Sequence, residues 1–300
     1  MTPPVDGAVP SADGVLLLRD RAYGPDARLV MAIVNRTPDS FYDRGATWRV
    51  ERALQRVAEA VEEGADIVDI GGVKAGHGAP VDEAEEIDRV VPFVELVRAR
   101  WPQLVISVDT WRSGVAAAAC QAGADLLNDA WGGVDPDLAG VAAEHGAALV
   151  CTHTGGARPR TNPHRIEYVD VVTDAIEAAT GLARRAVAAG VDPRRVVIDP
   201  AHDFTKTTAH SLEITRRLGE FVATGWPVLV SVSRKDFVGE SLDLPTDRRL
   251  PGTLAATVVA AWLGARIHRV HDVAAVRQAL DMTSCIAGDR PPARAVRGLA

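Results

Sequence analysis

Eight short apolar runs recur along the chain, each with polar residues or glycines at its C-terminal end and each followed by a stretch whose apolar positions return at helical spacing. The runs are LVMAIVN (29–35), ADIVDIGG (65–72), LVISVDT (104–110), ADLLNDA (124–130), AALVCTHT (147–154), RVVIDPA (195–201), PVLVSVS (227–233) and RIHRVHD (266–272). Continuous rather than alternating apolar character marks strands buried on both faces. Segments such as RVERALQRVAEAVEEG and EEIDRVVPFVELVRAR instead gather their charges on one helical face. Strands alternating with helices predict a parallel sheet, and eight such units are the number that closes a (β/α)8 TIM barrel. The rival is an open doubly wound sheet, but no G-x-G-x-x-G follows the first run, and polar strand ends suit a barrel with one functional face. Ahead of the first run, GVLLLRDRAYGPDARL predicts a capping hairpin. The connection from Gly155 to Tyr168 predicts a mobile loop over the polar face.

A length of 300 residues admits one domain or two, and the regular repeat selects one: a barrel over 15–300 preceded by a disordered arm, 1–14, rich in proline, glycine and aspartate. Net charge is −7 with no basic stripe, which argues against nucleic acid as a partner. No apolar stretch approaches the ~18 residues of a membrane span, so no membrane partner is expected. The three cysteines, Cys120, Cys151 and Cys285, lie in apolar settings without metal spacing and read as reduced thiols of a cytoplasmic protein.

In chain order the strand ends offer Asn35, the bare pair Gly71 and Gly72, Asp109, Asn128 with Asp129, His153, Asp199, the run Ser233-Arg234-Lys235, and Arg269 with His271. On a barrel these converge on one mouth. Carboxylates and an amide suit a nitrogen-rich ring, and an Arg/His pair suits phosphate. The motifs NRTPDSF, VDIGG, SVDT, ND, IDPAHDFTK, SRK and RVHDV, in that order, resemble the dihydropteroate synthase family from Val30 to at least Val273. That resemblance implies transfer of 6-hydroxymethyl-7,8-dihydropterin diphosphate to p-aminobenzoate, with release of pyrophosphate, in bacterial folate synthesis. Position by position it implies pterin contacts from Asp109, Asn128, Asp199 and Lys235. It implies a diphosphate grip from Asn35, Arg269 and His271, Mg²⁺ held with the help of Asn35, and catalytic roles for Lys235, Arg269 and His271. It also implies a homodimer through the alanine-rich helix around GTLAATVVAAWLG (252–264).

The side that would hold p-aminobenzoate departs from the family. Its second loop commonly reads Gly-Gly-Glu-Ser-Thr-Arg-Pro-Gly, whereas here Gly71-Gly72 lead into Val73, Lys74, Ala75, Gly76, His77 and Gly78. Asp236 follows Lys235 where serine or arginine commonly meets the substrate carboxylate, Arg36 replaces a small apolar residue, and Ser231 a glycine. Two like charges about 4 Å apart at an effective dielectric of ~20 repel by roughly 4 kcal/mol, and a lost charged hydrogen bond costs a further ~1.5–3 kcal/mol. Phe204 and Lys206 match family positions beside the second substrate. Arg36 and Lys74 read equally as solvated side chains or as a new anion contact, His77 as loop surface, and His202, Asp203 and His210 as a solvated loop in preference to a metal site.

Three functions fit these residues. The first is a divergent second paralogue that keeps the pterin diphosphate pocket and has weak or absent activity with p-aminobenzoate, binding it or a sulfonamide weakly. The second is a working dihydropteroate synthase. The third is a non-catalytic pterin-binding protein. A related methyltransferase barrel would have no use for a diphosphate grip.

Overall fold

The computed structural model describes residues 10–11, 13–36, 50–74, 80–161 and 167–297. The predicted hairpin is present as β1 (Leu16–Leu18) and β2 (Arg21–Tyr23), paired antiparallel. All eight predicted runs form strands: β3 (Leu29–Asn35), β4 (Ile67–Gly71), β5 (Val105–Asp109), β6 (Leu126–Asp129), β7 (Ala148–Thr152), β8 (Val196–Asp199), β9 (Leu229–Val230) and β10 (Ile267–Val270). They are parallel in the order β8-β7-β6-β5-β4-β3-β10-β9. A parallel bridge between Ile198 and Val228 joins the two ends, with the Ile198 N–H donating to the Pro227 carbonyl at 2.9 Å. The result is a (β/α)8 barrel.

Helices α1 (Val50–Glu62), α2 (Glu83–Arg100), α3 (Ser113–Gln121), α4 (Leu138–His145) and α5 (Val171–Ala188) occupy the first half of the surrounding layer. Helices α6 (Thr208–Arg216), α7 (Leu218–Val222), α8 (Asp236–Leu242), α9 (Leu250–Trp262) and α10 (Val273–Ala287) complete it. Their ends are set by local chemistry. Asp82 caps α2 by accepting the Glu85 N–H at 2.8 Å, and Asp170 caps α5 through the N–H groups of Val172 and Thr173. Gly146, at φ 61°, ends α4 in the left-handed conformation that glycine adopts without penalty.

Along each strand side chains alternate between the barrel interior and the helix layer. Helix-facing Val30, Val68 and Ile106 pack with Val57 of α1 and Phe93 of α2. Inward-facing Leu29, Met31, Ile67, Val105, Leu126 and Ile267 form an apolar floor against Leu16 and Leu18, so the hairpin plugs the N-terminal end of the barrel. One step higher, Asp69, Ser107, Asn128, Asp199 and Arg269 turn inward by the same alternation. The interior is therefore greasy at the closed end and polar toward the mouth.

The seventh run differs most from expectation, because only Leu229 and Val230 pair as strand. The chain beyond leaves the sheet toward Arg234, whose φ is 55°. Arg234 is fixed there by its N–H to Thr253 Oγ1 at 2.9 Å and by a two-pronged pair with Asp272 at 2.7 Å for each contact. Of the predicted N-terminal arm, residues 1–9 and 12 lie outside the described residues, while the Gly14 carbonyl accepts from Arg266 at 2.7 Å. Residues 162–166 of the long connection also lie outside.

His268 points from β10 into the helix layer and is buried. Neither ring nitrogen has a hydrogen-bond partner of good geometry among the described residues. Burial pushes its pKa down to about 3 from 6.5, opposed only by the poorly aligned Ala265 carbonyl. The unfolded chain therefore takes up a proton below pH 6.5 that the folded chain refuses until about pH 3, and stability is lost as pH falls through that window. His268→Leu should raise stability by about 1–3 kcal/mol at pH 8, with a larger gain at pH 5. Urea unfolding at the two pH values checks this, and equal gains would contradict it.

Candidate functional site

The inward polar layer is organised by Asp69, a fully buried carboxylate in the middle of β4. Its Oδ1 accepts from Ser107 Oγ at 2.6 Å, and its Oδ2 accepts from Asn128 Nδ2 at 3.1 Å and Arg269 Nε at 2.6 Å. Strand register brings the partners there: Asp69 lies beside Ser107 across β4 and β5, and Asp109 beside Asn128 across β5 and β6. Arg269 enters from β10, and its Nη2 donates to Asp109 Oδ2 at 2.9 Å, so one guanidinium bridges two carboxylates. Sequence reading passed over Asp69 although a signal was present. An ionisable residue inside an apolar strand must be paired or displaced.

Burial raises the Asp109 pKa to about 7; Arg269 pulls it back, and Asp69 pushes it further up. Asp199 accepts the Ala201 N–H at 2.7 Å; burial raises its pKa too, while Lys235 and Lys206 oppose the rise. Lys235 Nζ donates to the His202 carbonyl and sits 5.4 Å from the centre of the Phe204 ring. Burial lowers its pKa against the pull of Asp203 and Asp199. Lys206 donates to the Phe204 carbonyl at 2.9 Å, and burial brings its pKa down to about 7. The structure thus gathers Asp109, Asn128, Asp199, Lys235 and Arg269 at one end of the barrel.

Asn35 closes β3 beside Gly71, where an added Cβ would stand 3.7 Å from the Asn35 amide oxygen. His271 Nδ1 lies 3.0 Å from Ser233 Oγ, and the same hydroxyl accepts the His271 N–H at 3.1 Å. Burial, helped by Arg269, holds the ring neutral with a pKa of about 3. The Arg/His pair is therefore one cation, Arg269, and one neutral imidazole. Asp129, offered by sequence as a strand-end carboxylate, is engaged by the N–H groups of Trp131 and Gly133 and shapes a turn.

A sequence profile described as "Pterin binding enzyme" matches residues 31–271. Over 247 residues the chain is 41% identical to the dihydropteroate synthase of Bacillus subtilis (strain 168), covering 82% of this chain and 84% of that protein. The chain belongs to the dihydropteroate synthase family of pterin-binding enzymes. It is also 57% identical over 288 residues to "Inactive dihydropteroate synthase 2" of Mycobacterium leprae (strain TN), covering 95% of this chain and 99% of that relative. The fold matches Yersinia pestis dihydropteroate synthase in complex with a sulfonamide drug, with a TM-score of 0.86 and 34% identity over 92% of this chain and 100% of the other. Xanthomonas albilineans dihydropteroate synthase with 4-aminobenzoic acid gives a TM-score of 0.82 and 36% identity over 92% of this chain and 99% of the other.

The departures from the dihydropteroate synthase pattern fall on the loops. A Cβ on Gly72 would come within 2.6 Å of Val90 Cγ2, so the second loop starts hard against α2; Val73 and Lys74 follow, and Ala75, Gly76 and His77 lie outside the described residues. Arg36 is buried rather than solvated, its guanidinium 5.0 Å above the Phe93 ring. Asp236 opens α8 as expected, but its side chain is 72% exposed and pairs with Arg249 Nη1 at 2.8 Å. Arg249, unremarked in the sequence, thus offsets the charge that Asp236 would turn toward a substrate.

The loop HDFTKTTAH is anchored, not solvated. His202 is buried, with Nε2 3.0 Å from Thr215 Oγ1 and its ring stacked 5.6 Å from Phe237. Asp203 accepts from Ser211 Oγ at 3.0 Å and from the Phe237 N–H at 3.2 Å, and His210 forms a capping box with Thr207. Ala201, Asp203 and Thr205 all have positive φ, at 55°, 66° and 56°. Such backbone persists only where its surroundings fix it, and here it presents Phe204 and Lys206, with Trp131 packed edge-on to Phe204 at 5.4 Å.

Arg269→Met should leave Asp69 buried without its cation and lower stability by about 3–5 kcal/mol in urea unfolding. Arg269 favours the charged form of Asp109, so the same variant should move the Asp109 titration, followed by carboxyl NMR, above its value of about 7. A downward or absent shift would contradict the bridging role.

Proposed function

We propose that the chain binds 6-hydroxymethyl-7,8-dihydropterin diphosphate through an intact ring pocket and has weak or no synthase activity with p-aminobenzoate. The observation that carries this reading is a division within the site. On the strands Ser107, Asn128, Arg269 and, through Arg269, Asp109 are joined by hydrogen bonds around Asp69, while the second loop and residue 236 depart from the family's usual residues for the amine substrate. The 57% identity to the Mycobacterium leprae protein named inactive supports it.

In the family reaction the bond between the pterin methylene carbon and the diphosphate oxygen breaks, a carbon–nitrogen bond to the arylamine forms, and the amine loses a proton. Asp109, Asn128 and Asp199 would orient the ring, Lys235 would contact it, and Arg269 and His271 would hold the diphosphate by charge and hydrogen bonding. Mg²⁺ is held typically by one or two protein oxygens together with substrate phosphate and water. The Asn35 amide oxygen suits that sharing. Among the described residues no cluster of three or more His, Cys, Asp or Glu could hold a metal, and a metal shared with diphosphate needs none. When bound, the ion would lower the charge on the departing diphosphate.

On the amine side, neither Val73 nor Lys74 supplies a hydroxyl, and Asp236 would add a carboxylate near the place the family gives to the substrate's own, with Arg249 offsetting part of its charge. p-Aminobenzoate or a sulfonamide would bind weakly. A homodimer through α9 is supported by its exposed Val259 and Trp262, with Met282 and Ile286 exposed on α10.

Calorimetry with 6-hydroxymethylpterin diphosphate and Mg²⁺ should show binding, and Asp199→Ala should weaken it by at least about tenfold, the loss of one charged hydrogen bond. No heat from the folded wild type would reject the ring pocket. Pyrophosphate release should not rise when p-aminobenzoate is added, and an ordinary synthase rate would restore the working-enzyme reading.

Exposure and Arg249 reduce the effect of Asp236 from the bare-charge figure to about 1 kcal/mol, so Asp236→Ser should tighten p-aminobenzoate binding by roughly fivefold in the presence of pterin and pyrophosphate. Combined with Glu-Ser-Thr-Arg at 73–76, it should give more than the product of the single effects, because both changes meet one substrate. Unimproved binding by the combined variant would contradict this account.

A further inference from the structure

Asp69 lies beneath the residues assigned to the ring and, with no solvent exposure, is itself screened from the mouth. Its contact with Asn128 nonetheless decides what that amide offers. An asparagine amide presents a donor at one end and an acceptor at the other, and its orientation is set by its partners. A carboxylate accepts only, so the 3.1 Å contact from Asn128 to Asp69 Oδ2 commits Nδ2 to the floor of the pocket. The amide oxygen is left as the group that can face a ligand.

Two further bonds keep the carboxylate from turning. Ser107 Oγ holds Oδ1 at 2.6 Å, and Arg269 Nε holds Oδ2 at 2.6 Å. Because the amide is buried, reversing it would set its oxygen against a carboxylate oxygen with no water between them. Accordingly, we propose that Asp69 is a positioning residue for specificity: by fixing the Asn128 amide it makes the pocket select rings whose pyrimidine edge donates N–H rather than accepts.

This rests on the reading of the site as a pterin pocket. Pterin carries a donating 2-amino group, whereas lumazine carries an accepting 2-oxo group on the same ring system. Wild type should bind 6-hydroxymethylpterin at least about tenfold more tightly than 6-hydroxymethyllumazine, since a site built for a donor leaves its acceptor unpaired with the analogue. In Asp69→Asn the new amide can donate to the Asn128 oxygen, so Asn128 can turn and the ratio should fall by at least about threefold, the carboxylates of Asp109 and Asp199 keeping the remainder. Ser107→Ala removes one support of Asp69 without removing its charge and should keep the wild-type ratio. A merely structural Asp69 would weaken both ligands together and leave the ratio unchanged.

A second measurement serves if Asp69→Asn does not fold. In the wild type the Asn128 side-chain NH₂ resonance, identified by its loss in Asn128→Asp, should exchange slowly with solvent both free and with 6-hydroxymethylpterin bound. Exchange at the rate of an exposed amide overturns the inference, as does a folded Asp69→Asn with the wild-type ratio. Failure of wild type to bind 6-hydroxymethylpterin overturns the pterin reading itself. Binding with no preference over 6-hydroxymethyllumazine overturns the inference alone.

Discussion

One carboxylate in the centre of the barrel constrains everything above it. Asp69 takes hydrogen bonds from β5, β6 and β10 at once, so the relative heights of those strands are fixed by a group that has no exit to water. A buried ion pair of this kind adds little net stability compared with an apolar core of the same volume. What it supplies is geometry. Arg269, with Asp69 on one side and Asp109 on the other, cannot swing freely, and the acidity of Asp109 depends on where that guanidinium stands.

The contrast between the ring side and the amine side follows from what carries each. The groups proposed for the ring are borne by strand ends and the anchored loop after β8, so their positions follow from pairing register and from contacts such as Asp203 with Ser211. The positions proposed for the amine lie on the loop after β4 and at the first turn of α8. Loop residues can be exchanged without disturbing the sheet, whereas loss of a single member of the Asp69 network strands a buried charge. A protein drifting away from one substrate would therefore lose the amine contacts first, and the division proposed for this site has that order.

The barrel was legible because parallel strands buried on both faces write themselves as unbroken apolar runs, and β3 coincides with its run from Leu29 to Asn35. β9 was the poorest match, since apolar content cannot show that Arg234 will pull the chain out of the sheet. At the site, strand-end residues such as Asp109 and Asn128 could be read from position alone. For Asp69 the apolar strand around it signals only that the carboxylate must be paired; its partners, 38, 59 and 200 residues away, are not legible there. Nor is the pairing of Asp236 with Arg249 or the burial of Arg36 over Phe93, both of which depend on how helices pack around the barrel.

The single bridge between Ile198 and Val228 gives the barrel a seam. Elsewhere around the ring, neighbouring strands are tied by two to five registered pairs, two between β9 and β10 and five between β3 and β4. At the seam the loops above the sheet supply what the strands lack: Lys235, after β9, donates to the His202 carbonyl after β8, and Asp203 accepts the Phe237 N–H of α8. The cylinder is thus fastened like a buckle, by side chains over the join rather than by pairing along it.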